Sequence, residues 1–260
     1  MDNQMFIDTH CHFDFPPFSG DETASLELAR QAGVEKIIVP TVSQEYFQRV
    51  ADLAATHEPI YSAFGLHPLY INEHHDIHLN DLEQKLKEKL PHCVAIGEIG
   101  LDLYMAEPQF ERQKSVLAVQ LKLAKKYELP VMLHSRKSHD QLAAMLRKYH
   151  VPRSGVIHGF AGSLSQAQSF VRLGFYIGVG GTITYERAKK TRDTIARLPL
   201  SALVLETDAP DMPLAGFQGQ PNRPERIAQV FSVLCELRPE SPDEISRQIY
   251  QNSVKLFALS

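Results

Sequence analysis

The sequence predicts an α/β protein folded as a single (β/α)8 TIM barrel with extra C-terminal helices. Three observations carry this. The chain has 260 residues, near the size of one such barrel. Eight short apolar runs rich in Val, Ile and Phe alternate with longer segments of helical spacing, as parallel strands buried on both faces require. No GxGxxG follows the first run, so an open doubly wound sheet for dinucleotides gains no support. With no Pro/Ser linker, repeat or low-complexity tract, residues 1–260 read as one domain.

The runs predict strands at Met5–Thr9, Lys36–Pro40, Ile60–Gly65, Cys93–Glu98, Pro130–His134, Gly155–His158, Phe175–Gly180 and Leu203–Thr207. Between them, Leu82, Leu86 and Leu90 recur every four residues, and Val116, Val119, Leu123 and Tyr127 mark one face of the next helix. Two helices follow the last strand, near Glu225–Leu237 and Pro242–Leu259. The longest loop signal, Ala209–Arg226, follows strand 8, on the face where barrel enzymes build their sites.

Composition narrows the function. Hydrophobic residues at 43% and charged residues at 22% are ordinary for a globular domain. A net charge of −4 argues against a protein that coats nucleic acid, so an anionic substrate must be gripped locally. The start MDNQMFIDTH has no basic run before an apolar stretch, and no run of 18 apolar residues exists, so neither a signal peptide nor a membrane span is expected. Three dispersed cysteines without a CxxC argue for a reducing compartment and a cytoplasmic protein. No obligate protein partner is evident.

Histidines carry the chemistry. His10 and His12 form an HxH at the end of strand 1, where residues i and i+2 face one side and both imidazoles can reach one ion. Cys11 between them should face the helices. Glu98 closes strand 4, His134 strand 5 and His158 strand 6, and Asp208 follows strand 8. Each has a plainer reading as a turn cap, a core-edge histidine or the start of an Asx turn. Residues placed for unrelated structural reasons have no cause to fall always at the same barrel mouth. Four histidines and two carboxylates suit two divalent ions, because a carboxylate can bridge them.

The segments FIDTHCHFD, FGLHP, GEIGLDLY, PVMLHSR, IHGFAG and LVLETDAP resemble, in order and spacing, the motifs of the TatD-type metal-dependent deoxyribonucleases of the amidohydrolase-like superfamily. The resemblance spans essentially the whole chain. It implies that His10, His12 and Asp208 bind one ion, that His134 and His158 bind a second, and that Glu98 bridges them. It implies Asp208 as acceptor of a proton from the attacking water, and cleavage of phosphodiester bonds in DNA, often from the 3′ end, with a role in DNA repair or turnover in some members. The chain departs from the family at Lys137 and Arg223, where acidic residues are common, and at Gly159, where Cys is common. These changes leave the ligand set intact and bear on substrate identity.

Around the ligands, His67 in FGLHP is read as a substrate or phosphate contact and Arg136 and Lys137 as phosphate contacts, each with a plain surface or packing role as the alternative. Tyr104 is a weaker candidate for stacking a base, and Gly180–Gly181 for binding phosphate through backbone N–H groups. His74, His75 and His78 (EHHDIH) read as solvated loop histidines, and His57, His92, His139 and His150 as surface residues. Mixed His and carboxylate ligands suit Zn²⁺, Mn²⁺, Co²⁺ or Ni²⁺, and the resemblance also permits Mg²⁺. Two other functions stay open: hydrolysis of another anionic substrate (a phosphate monoester, amide or lactone) on the same scaffold, and non-catalytic metal binding.

Overall fold

In the computed structural model, residues 4–260 are described; residues 1–3, where part of the N-terminal reading falls, lie outside them. The strands are β1 (Phe6–Asp8), β2 (Val34–Pro40), β3 (Ile60–Phe64), β4 (Cys93–Asp102), β5 (Val131–Arg136), β6 (Gly155–Ile157), β7 (Tyr176–Val179) and β8 (Leu203–Leu205). They form one parallel sheet in sequential order. Backbone bonds join its two ends, Thr9 N donating to Leu205 O at 3.1 Å and Asp208 N to His10 O at 2.8 Å. The result is a (β/α)8 barrel. Each predicted strand overlaps an observed one. The largest boundary difference is at β4, which runs to Asp102 because Gly100, Leu101 and Asp102 pair with His134, Ser135 and Arg136 of β5.

The helices are α1 (Glu22–Gln31), α2 (Phe47–Thr56), α3 (Asp76–Lys87), α4 (Phe110–Lys126), α5 (His139–Lys148), α6 (Leu164–Val171), α7 (Lys189–Arg197), α8 (Ile227–Leu237) and α9 (Pro242–Phe257). None is long and apolar enough to cross a membrane. The expected stripe on α4 holds at Val116 and Leu123, which are buried, and at Tyr127, which is half-buried, but Val119 is exposed, and the buried face also carries Gln113 and Gln120 beside Leu117, Leu121 and Ala124. Both glutamines serve strand ends: Gln120 bonds Leu66 N and O, and Gln113 bonds Asp102 N and O. Burying an amide is tolerated when each polar atom finds a partner, which apolar periodicity cannot reveal.

The barrel interior and its exterior are separate apolar clusters. Ile7, Ile38, Ala63, Ala95, Met132, Val156 and Val204 come from seven strands and fill the inside. The end of α9 packs into the same cluster through Leu256, Phe257 and Leu259. Thus α8 completes the ring of helices, and α9 is the addition that caps the interior layer. Phe257 is 2% exposed. Phe257→Ala is expected to lower unfolding free energy by ~3–5 kcal/mol. A denaturant midpoint shift with unchanged metal content at 25 °C will show this; a shift under about 1 kcal/mol would show that the cap is dispensable.

Candidate metal centre

The barrel's closing seam builds the first part of the site. Asp8 is fully buried, and its Oδ1 accepts from His10 N at 3.2 Å and Thr207 N at 3.0 Å. Burial is the main reason its carboxyl is pushed up to about 8, against the lowering effect of bonds from Thr207 and His10. Beyond β1 the chain stays laddered, with Cys11 N donating to Ile38 O and His12 N to Ala209 O. The side-chain alternation therefore continues past the strand. His10 and His12 turn to the centre, while Cys11 packs in the outer apolar cluster.

Glu98 sits where the β4–β5 register slips between Gly97 and Ile99, so its side chain leaves the ladder. Its two oxygens face different partners. Oε1 lies 3.0 Å from His10 Nε2 and 3.7 Å from His12 Nε2. Oε2 lies 2.8 Å from His67 Nε2 and 3.3 Å from His158 Nε2. Asp208 Oδ1 is 3.4 Å from His10 Nε2 and 3.3 Å from His12 Nε2. His158 stacks flat on His10, with centroids 3.8 Å apart. Burial alone would raise the Glu98 carboxyl, but His158, His67 and His10 together hold it well below the usual carboxylate range.

These residues fit divalent cations. His10 Nε2, Glu98 Oε2 and Asp208 Oδ1 are buried without a hydrogen-bond partner, and unpaired buried polar atoms at such density need a ligand to satisfy them. Three side-chain groups among the described residues converge closely enough to share an ion: His10, His12, Glu98 and Asp208; His67, Glu98 and His134; and His10, His158 and Glu206. The first two contain Glu98. The second grouping places His67 beside His134 and Glu98, whereas the resemblance pairs His134 with His158.

Several residues that support this arrangement were not singled out in the sequence. Asp102 Oδ2 lies 2.7 Å from His134 Nε2. Glu206 Oε1 accepts from Gly159 N and stands 3.5 Å from His158 Nδ1. Both are acids on or beside strands, four residues after Glu98 and two before Asp208, and that was the available signal. Gly159 has φ +54°, a left-handed conformation that suits glycine. His74, expected to be solvated, is buried, and its Nε2 bonds His67 O at 2.7 Å. His139, expected on the surface, lines the cavity and contacts Ser135 Oγ and Ala161 O.

A cavity of about 830 Å³ opens over the centre. Its wall beyond His134 carries Arg136, Lys137 and Lys190. Tyr104 stacks under the Arg136 guanidinium at 3.9 Å, which holds this charge in place rather than leaving the ring free. Arg223 is turned away, bonded to Glu225 and lying over Phe18. Gly180 and Gly181 pack against Glu206 and against Met212 and Leu214, so close packing accounts for the pair.

A (β/α)8 barrel with buried His/carboxylate clusters at the strand ends defines a metal-dependent hydrolase. Residues 7–258 match the family model for TatD related DNase. An uncharacterized metal-dependent hydrolase of Escherichia coli strain K12, YjjV, is 62% identical over 252 residues, covering 97% of each chain. Its crystal structure, described as that of a TatD homologue, has a TM-score of 0.97 and covers 98% of each chain. A Rahnella protein named 3′-5′ ssDNA/RNA exonuclease TatD is 32% identical over 254 residues, covering 94% of each chain. The present chain belongs to the TatD family.

Proposed function

We propose that residues 1–260 work as one domain that hydrolyses phosphodiester bonds in DNA or a related nucleic acid with two divalent ions. The observation that carries this is Glu98, whose Oε1 faces His10 and His12 while Oε2 faces His67 and His158. One carboxylate between two donor groups is the arrangement of a bridging ligand. In this reading His10, His12 and Asp208 hold one ion, His134 and His158 the other, and Zn²⁺, Mn²⁺, Co²⁺, Ni²⁺ or Mg²⁺ fill the sites. Divalent ions so bound supply Lewis acidity and a nucleophile at neutral pH. Asp208 takes the proton of the attacking water. The exonuclease name of the Rahnella relative supports a nucleic-acid substrate. Three free, dispersed cysteines support a cytoplasmic setting.

Arg136 and Lys137 supply binding to the anionic chain. Arg136→Ala and Lys137→Glu are each expected to raise KM roughly tenfold, with a smaller change in kcat, since they remove charge-assisted contacts made before the transition state. Steady-state kinetics on a short oligonucleotide will show this; unchanged constants with every phosphate substrate would instead favour an amide or lactone. The function itself is tested by digesting end-labelled single- and double-stranded DNA with each metal in turn. Products accumulating from the 3′ end are expected. Intact DNA alongside turnover of a phosphate monoester, amide or lactone would overturn the reading.

A further inference from the structure

We infer a second phosphate contact on the opposite rim of the barrel mouth: Arg49, held by Asp14, Phe15 and Tyr46, takes a phosphate that neighbours the scissile one. The substrate class that fits is then a strand with at least two phosphates, not an isolated diester. This rests on the phosphodiester reading for what the anion is, while the held guanidinium stands apart from that reading.

The rim begins in the segment FDFPPF, which carries the chain past His12. Asp14 there is buried, and neither of its oxygens accepts a hydrogen bond among the described residues. A carboxyl is tolerated in such a place when an opposite charge faces it. Arg49 of α2 supplies that charge, with Nη2 3.6 Å from Asp14 Oδ2. The guanidinium also lies over two half-buried rings, 5.1 Å from the centroid of Phe15 and 4.6 Å from that of Tyr46. The two rings are themselves 5.1 Å apart. The contact with Asp14 is longer than a hydrogen bond, so the guanidinium keeps its N–H edge for another acceptor. The Arg49 side chain is 47% exposed against 0% for Asp14, so a ligand can reach the charge that the buried carboxyl anchors. A planar N–H fork pinned against rings matches two oxygens of a phosphate and loses little freedom when it binds one.

Its place in the fold gives this charge a use. Phe15 edges His12 with centroids 6.1 Å apart, and Tyr70 edges His67 at 6.1 Å. One aromatic ring therefore separates Arg49 from a histidine of the metal centre. Phe15, Tyr46 and Tyr70 follow β1, β2 and β3, whereas Arg136, Lys137 and Lys190 end or follow β5 and β7. In a closed barrel of sequential strands these are opposite halves of the mouth. The cavity is walled by Arg136, Lys137 and Lys190, and the Arg49 rim lies outside its walls. Cations thus flank the centre on two sides. A single diester fills only the centre. A strand that crosses it lays a further phosphate against the rim, where the half-buried rings of Tyr46 and Tyr70 can stack a base.

The test uses the full-length, Zn²⁺-loaded protein and a fluorescein-labelled oligothymidylate of six nucleotides with phosphorothioate linkages, which resist hydrolysis. Fluorescence anisotropy gives Kd for wild type, Arg49→Ala and Arg49→Lys. Arg49→Ala should weaken binding roughly tenfold, the worth of one charge-assisted contact. Arg49→Lys should recover only part, because an ammonium keeps the charge without the planar fork. One linkage at a time is then made neutral as a methylphosphonate. At one position this should cost wild type about tenfold and Arg49→Ala under about twofold, the mark of a direct pair in a double-mutant cycle. Bound Zn²⁺, by elemental analysis, should be equal in all three proteins. Circular dichroism checks folding, and Arg49→Lys, which keeps a charge opposite Asp14, carries the same cycle should Arg49→Ala not fold. Equal Kd for wild type and variant, a neutral linkage that costs both alike at every position, loss of Zn²⁺ in Arg49→Ala, or a wild type that does not bind the strand would overturn the proposal. A wild type that binds the strand through Arg49 yet cuts no DNA would remove the nuclease reading and leave this contact standing.

Discussion

Asp208→Asn is expected to keep most of its bound metal and still lose a factor of 10²–10⁴ in kcat, the range for removal of a general base. The substitution is a mild one structurally. Asp208 has φ +60°, a left-handed conformation that Asn adopts as readily as Asp. Its backbone N–H stays bonded to His10 O at 2.8 Å. The amide retains one oxygen for an ion at the position of Oδ1, which lies 3.3–3.4 Å from His12 and His10 Nε2. It cannot accept the proton of the attacking water. Glu98→Gln should behave differently. Glu98 is 1% exposed and turns an oxygen to each side of the site, so in the proposed two-ion scheme its replacement should loosen one ion and be partly offset at high metal concentration. Metal titrations of activity, with bound metal measured in parallel, separate the two. If added metal rescues Asp208→Asn as readily as Glu98→Gln, Asp208 is only a ligand and the base lies elsewhere.

His10→Ala and His134→Ala should each abolish turnover, and chelation of the wild type should do the same. The two histidines serve different ions in the proposed scheme, so each variant should lose up to one equivalent by elemental analysis. Asp102→Asn removes only the partner behind His134, and a loss of about 10–100-fold in affinity or activity is expected for such an outer contact. His75→Ala is the control. His75 is exposed beside α3 and bonds only locally to His78, so metal and activity should be unchanged. Loss of metal in His75→Ala with retention in His134→Ala would show the assignment to be wrong. Full activity in a metal-free preparation would remove the metal mechanism altogether.

Local pattern determined a large part of this protein. Eight apolar runs between helical segments define the barrel because a parallel strand buried on both faces can be written only in apolar residues. The placement of His10, Glu98, His134, His158 and Asp208 after those runs follows from the same rule, since the polar residue that ends each run lies at one mouth. Lys137, singled out because the resembling family commonly has an acidic residue there, lines the cavity with Arg136. Tertiary structure decided what depends on partners distant in sequence. Asp8 and Thr207, 199 positions apart, meet to close the barrel beneath His10. Asp102 and Glu206 stand behind His134 and His158, and Gln113 and Gln120 brace two strand ends from α4. His74 looked solvated because its neighbours are polar, but its ring is buried against the His67 carbonyl. Spacing reports which side of an element a residue faces. The contact of the Leu69 N–H with His67 Nδ1 depends on a turn that only the folded backbone supplies.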